Sequence, residues 1–178
     1  MGVITPIFIA MNKRTKFLTH SALLAALYVA LTYTQNFLLP GSATWAIQFR
    51  VAEALCVFAL FTPAAIPGLT VGCLLFNLSC SAALPLDPVF GSAATLLSAG
   101  CMYLLRKVRL FGYPLPAMVM PALFNAVLVG WELAVYVGGG FWLNALYVAI
   151  GELAVLLTLG SVLYYGFTVR HLDQRLFG

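Results

Sequence analysis

An all-α integral membrane protein, a bundle of six transmembrane helices with both termini cytoplasmic, is the fold this sequence predicts, and three observations carry it. Of its 178 residues, 63% are hydrophobic and 8% charged, and the mean hydropathy is +1.02; soluble domains are roughly half apolar and one-quarter charged. The charges fall in small groups separated by apolar stretches, and a helix needs roughly 20 residues to cross about 30 Å of hydrocarbon. The basic residues gather at the ends of those stretches, which is where positive charge sets membrane orientation. The pI near 9.0 therefore reports topology and not a nucleic-acid surface.

Along the chain, residues 1–16 are expected as a cytoplasmic N-terminal segment and 17–178 as a single membrane domain. The apolar run Val3–Ala10 is short, and its basic cluster Lys13, Arg14 and Lys16 follows it instead of preceding it, unlike a signal peptide. Met11 is an alternative start. Spans are expected at 17–38, 47–62, 64–84, 88–105, 115–137 and 142–167. The first carries Ala22, Ala26 and Ala30 at four-residue intervals, a small-residue ridge suited either to internal packing or to close approach of another helix. The stretch from Val51 to Leu84 is too long for one ordinary span, and Pro63 and Pro67 can end or kink a helix within it.

Parity decides how often that stretch crosses. If it crosses twice, eight of the nine Lys and Arg residues lie inside and Arg50 alone lies outside, as the positive-inside rule prefers. Trp45, Trp131 and Trp142 then fall toward the outer interface, where an aromatic belt or ligand stacking would place them. Cys56, Cys73, Cys80 and Cys101 stand singly in apolar stretches without a CxxC pair, so neither a metal site nor a disulfide framework is expected.

The acidic residues are the functional candidates, because an ionisable group inside a membrane is costly and marks a site by default. Asp87 before Pro88 reads as an ordinary helix cap. Arg50 and Glu53, three apart, are placed to pair with each other. Glu132 and Glu152 have no basic residue nearby in sequence. The Gly138-Gly139-Gly140 turn makes their helices antiparallel neighbours and sets the two acids about 10 Å and about 20 Å below it. Asn125, seven residues before Glu132, shares its helix face, and Asn144, Tyr147 and Gln48 supply polar groups near the mouth. Such a pocket suits a small ligand offering hydrogen-bond donors or positive charge, with tryptophan and tyrosine for stacking. No nucleophile elbow, metal-ligand spacing or phosphate loop is present, and His20 and His171 lie remote from the acids, so an enzyme is not expected, nor a cofactor.

The chain resembles the QueT family of queuosine-precursor transporters, substrate-binding S components of energy-coupling factor (ECF) uptake systems. The resemblance lies in Ile47–Leu55 (IQFRVAEAL), Phe61–Gly68 (FTPAAIPG), Asp87–Ser92 (DPVFGS), Phe141–Ala145 (FWLNA) and Gly151-Glu152. It implies an S-component-like bundle in a bacterial cell membrane that captures a deazaguanine base from outside. It also implies docking, through Ala22, Ala26 and Ala30, on a transmembrane scaffold subunit driven by two ATPases. A guanine-like edge offers a ring N–H and an amine that one carboxylate can accept together, and a second carboxylate could neutralise an aminomethyl ammonium. These tasks fall among Glu53, Glu132 and Glu152, with Asn125 or Asn144 reading the ring carbonyl, Trp131, Trp142 or Tyr147 stacking, and Gln48 and Arg50 nearby. Competing readings are an S component for another vitamin or nucleobase, a stand-alone proton-coupled carrier, and a non-transporting assembly subunit.

Overall fold

The computed structural model describes residues 12–40, 49–80 and 83–177; Met11, Trp45 and Gln48 lie outside them. The described residues are helical, apart from turns and one isolated bridge between Leu110 and Tyr113. Helix α1 spans Lys13–Leu38, so it opens inside the basic cluster, four residues before the expected start, with Asn12 accepting from the Arg14 N–H at its head. A 3-10 helix covers Val51–Leu60. Then come α2 (Ala65–Ser79), α3 (Asp87–Leu105), α4 (Leu115–Tyr136) and α5 (Phe141–Val169), and a terminal turn of helix, α6 (Leu172–Phe177).

Four of these, α1, α3, α4 and α5, are long and apolar enough to cross a membrane. The expected spans 47–62 and 64–84 are shorter than read. Ten residues at a 3-10 rise of about 2.0 Å, or fifteen at about 1.5 Å, reach only some 20–22 Å. Nevertheless the chain reverses between them. Gln35 meets Val51, Tyr28 meets Glu53, and Ser21 meets the Ala64 carbonyl, so the 3-10 segment runs antiparallel to α1. Gly68 faces Ser21, Gly72 faces Ala25 and Tyr28, and Tyr33 donates to Ser79, so α2 runs parallel to α1. Pro63 sits in the turn between them and Pro67 in the first turn of α2, where its missing N–H costs nothing.

The 3-10 helix is the spine of the bundle. Its sequence VAEALCVFAL is apolar on every side except at Glu53, and all nine residues from Ala52 to Leu60 are buried, as an all-round hydrophobic helix must be. Helix α2 packs against α1 through glycine: a Cβ on Gly72 would lie 2.8 Å from the Tyr28 Cβ and 2.9 Å from the Ala25 carbonyl oxygen. That close approach fixes Tyr28 over the core. Gly138, Gly139 and Gly140, at φ of 91°, 84° and 82°, build the left-handed turn that folds α5 back along α4, a conformation that costs other residues about 1–2 kcal/mol each.

The same contacts sort the two ends. Lys13 to Lys16 begin α1, His20 packs on Phe177, Arg109 donates to the Tyr164 hydroxyl, and Tyr113 bonds Ser161 at 2.6 Å. The Lys13, Arg106 and Arg170 groups therefore share one end of the bundle. At the other end lie Ser79, Asp87, Tyr136 and the glycine turn. Arg50 belongs to neither group: it is 6% exposed.

Candidate functional site

Polar side chains inside an apolar bundle need partners, and the partners here converge on Arg50 and the acids. Glu53, Glu132 and Glu152 are each 0% exposed, and Asp87 is 5% exposed. The 3-10 helix brings Glu53 to the α1 face, where the Tyr28 hydroxyl donates to Oε1 at 2.7 Å and the Cys56 thiol to Oε2 at 3.1 Å. Arg50, just before that helix, sets its guanidinium 3.8 Å from the Asp87 carboxylate and also acts electrostatically on Glu132 and Glu152. The expected Arg50–Glu53 pair is not formed. Arg50 lies in extended backbone (φ −88°, ψ 93°) ahead of the helix, so it does not share a helical face with Glu53, and the two pair instead with Asp87 of α3 and Tyr28 of α1.

Asp87 departs from its expected part as well. Helix α3 opens at Asp87 with Pro88 in its first turn, but the carboxylate turns back to accept from the Leu84 N–H at 2.8 Å and faces Arg50 with its other oxygen. The Asn77 amide holds the Asp87 carbonyl at 2.9 Å. On the opposite wall, Asn125 of α4 donates to Glu152 Oε1 of α5 at 3.3 Å. Glu132 stands beside Asp87, and Glu152 lies within electrostatic range of Glu53.

Several buried atoms of this wall lack a partner at hydrogen-bond geometry: both carboxyl oxygens of Glu132, which has the Asp87 carboxyl and the Leu86 N–H beside it, and Glu152 Oε2 and Asn125 Oδ1. All four are acceptors when the acids are ionised. Beside Arg50, a cavity of about 10 Å³ is lined by Tyr28, Thr32, Phe76, Asn77 and Asp87, room for about one water. Any ligand larger than water enters by parting these walls.

The structure thus brings together Glu53, Glu132, Glu152, Asn125 and Arg50. Among the described residues, it does not bring the remaining candidates to them. Asn144 donates to the Gly138 carbonyl at 2.7 Å and so stabilises the glycine turn. Trp142 is 83% exposed, and Trp131, packed on Phe90, also faces outward. Tyr147 is half-buried on α5. Tyr28 and Asn77 enter the site unannounced, a polar residue amid apolar ones being the only linear signal either gives, and Asp87, read as a helix cap, enters it as the partner of Arg50. Cys56 and Cys73 are buried free thiols, and each bonds a site side chain, Cys56 to Glu53 and Cys73 to Asn77.

Ala22, Ala26 and Ala30 are exposed on the face of α1 opposite the buried Leu24, Ala25 and Tyr28, so the ridge is not used for packing within the chain. No curated protein and no solved structure shows significant similarity to this sequence. The sequence profile of the QueT transporter family matches residues 18–168, a stretch that includes every helix bearing the acid cluster. The chain is therefore a membrane transporter and not an enzyme, and it belongs to the QueT transporter family.

Proposed function

We propose that this protein is the substrate-binding S component of an energy-coupling factor transporter and captures a deazaguanine precursor of queuosine on the outer face of a bacterial plasma membrane. One observation carries the ligand class: beside Arg50, α4 and α5 bury the Glu132 carboxyl, Glu152 Oε2 and the Asn125 carbonyl without a partner at hydrogen-bond geometry, acceptors that call for a ligand rich in N–H donors. A deazaguanine supplies a ring N–H and an exocyclic amine on one edge, which a carboxylate accepts as a pair. Its carbonyl requires a donor, and Arg50 supplies the guanidinium that stands among the acids. Tyr28 and Phe76, which line the cavity beside Arg50, are better placed to stack on the ring than Trp131 or Trp142.

In this reading the chain crosses the membrane six times. The alternating directions of α1, the 3-10 helix and α2 support that count, and the gathering of the basic clusters at one end supports cytoplasmic termini. Ala22, Ala26 and Ala30 offer a scaffold subunit a smooth surface for close helix approach, and two ATPase subunits drive import. Titration of detergent-purified protein with deazaguanines and with guanine tests the ligand. One-to-one binding of a deazaguanine in preference to guanine is expected; no binding by folded protein removes the assignment. Unpartnered acids inside a membrane also suit a proton-coupled carrier. Uptake by the chain expressed without partners, abolished when the proton gradient collapses, would establish that reading instead.

A further inference from the structure

The bundle has a seam. Helix α1 packs on α2 and the 3-10 helix, and α5 on α4 and the 3-10 helix, but among the described residues α1 and α5 hardly touch. Toward the basic end this seam widens into a slot of about 210 Å³ between α1, α5 and α6. An apolar cavity of about 150 Å³ admits benzene, so a stretch of hydrocarbon chain fits here. The walls are Leu23 and Leu27 of α1, Phe167 of α5 and Phe177 of α6, with Phe58 of the 3-10 helix beneath them. Phe58 meets both Phe167 and Phe177 edge-on, which fixes the shape of the slot.

The slot changes character along its length. Thr19 and His20 also line it, about one turn nearer the basic start of α1 than Leu23, and neither side chain has a hydrogen-bond partner among the described residues. His20 rests edge-on against Phe177, ring centroids 5.1 Å apart. Lys16, four residues before His20 and so on the same helix face, acts on it electrostatically. Lys16 is half-buried, whereas Lys13 and Arg14 are exposed and line a separate hollow with Phe17 and Leu18. Asp173, the acid of this end, is not among the groups lining the slot. An ammonium, an imidazole and a hydroxyl, all able to donate, therefore stand at the mouth of an apolar channel. A ligand that matches both parts has an anionic head and a hydrocarbon tail, and basic pockets between helix ends hold acidic lipid headgroups in this way.

We infer that the seam between α1 and α5 binds one anionic phospholipid of the leaflet at the basic end, its phosphate held by Lys16, His20 and Thr19 and one acyl chain laid along Leu23, Leu27 and Phe58. The inference is independent of the deazaguanine reading. Detergent-purified protein is titrated with phosphatidylglycerol and with phosphatidylcholine of the same chains, and bound lipid is counted by native mass spectrometry. One retained phosphatidylglycerol per chain is expected, preferred over phosphatidylcholine by about fivefold or more, as a lysine beside an acidic headgroup warrants. K16Q should remove most of that preference, while K13Q, outside the slot, should leave it within about twofold. L23W fills the slot without changing charge and should abolish retention; Leu23 is exposed, so the variant should keep the fold. Equal retention of both lipids, or equal losses in K13Q and K16Q, overturns headgroup recognition at this site, and undiminished retention in L23W overturns the slot. A pair of protomers that L23W separates, in place of a lipid adduct, makes the occupant a second copy of the chain and overturns the proposal. Should L23W fail to fold, K16Q against K13Q decides.

Discussion

Replacing Tyr28 by Phe tests the polar core with the least disturbance of shape, because only one hydroxyl oxygen is removed. That hydroxyl is the shorter of the two bonds to Glu53, at 2.7 Å against 3.1 Å from the Cys56 thiol, and both residues are almost wholly buried. A hydrogen bond to a charged acceptor contributes about 1.5–3 kcal/mol, and a weakly donating thiol cannot replace it. Tyr28→Phe should therefore destabilise the protein by about 2 kcal/mol. In an E53Q background the acceptor is neutral, and the same change should cost only about 0.5–1.5 kcal/mol. Unfolding of the four proteins in one detergent, followed by circular dichroism, gives the coupling directly. A Tyr28→Phe variant as stable as the parent, or an equal loss in both backgrounds, would refute the reasoning that Glu53 is held as a buried carboxylate by this hydroxyl.

Gly72→Val places new atoms within 3 Å of Tyr28 and the Ala25 carbonyl. It should destabilise the protein by about 1–3 kcal/mol in the same unfolding assay, and should reduce deazaguanine affinity by shifting Tyr28. Arg50→Gln leaves Asp87 without its cation and should cost about 3–5 kcal/mol; adding D87N should restore much of that loss, as a thermal unfolding series would show. Ala26→Trp, on the exposed ridge of α1, should change stability by no more than about 0.5 kcal/mol yet abolish co-purification with the scaffold subunit proposed above.

Much of the fold is legible in the linear pattern, because a bilayer demands long apolar helices and tolerates charge only at their ends. The runs read as 88–105, 115–137 and 142–167 became α3, α4 and α5 within a few residues, and the glycine turn forms the reversal expected of it. The stretch from Val51 to Leu60 was harder. Its residues are apolar all round, so periodicity gives neither face nor length, and nothing local distinguishes a 3-10 winding from an α-helix. Its direction of travel shows only in contacts with Tyr28, Ser21 and Gln35.

The candidate site was legible where a residue's cost reveals it and illegible where only its partner does. Glu53, Glu132 and Glu152 stand out because a carboxyl in a membrane span demands an explanation, and all three lie in one cluster. The pairing of Arg50 with Asp87, 37 positions apart, depends on how α3 meets the 3-10 helix, which spacing along the chain does not encode. The same limit applied to Tyr28 and Asn77. Trp131 and Trp142 point outward because the helix faces carrying Glu132 and Asn144 take the inside, and a residue one or two positions away on a helix falls elsewhere.

The central claim, that the unpartnered acids of α4 and α5 are the ligand site, is tested most directly by titrating E152Q and the unmodified protein with aminomethyl-deazaguanine in parallel. The account predicts binding weaker by about 1–3 kcal/mol in the variant, with unfolding stability equal to or above that of the parent, since a partly unpaired buried charge has been removed. Unchanged affinity in a folded E152Q protein would contradict it.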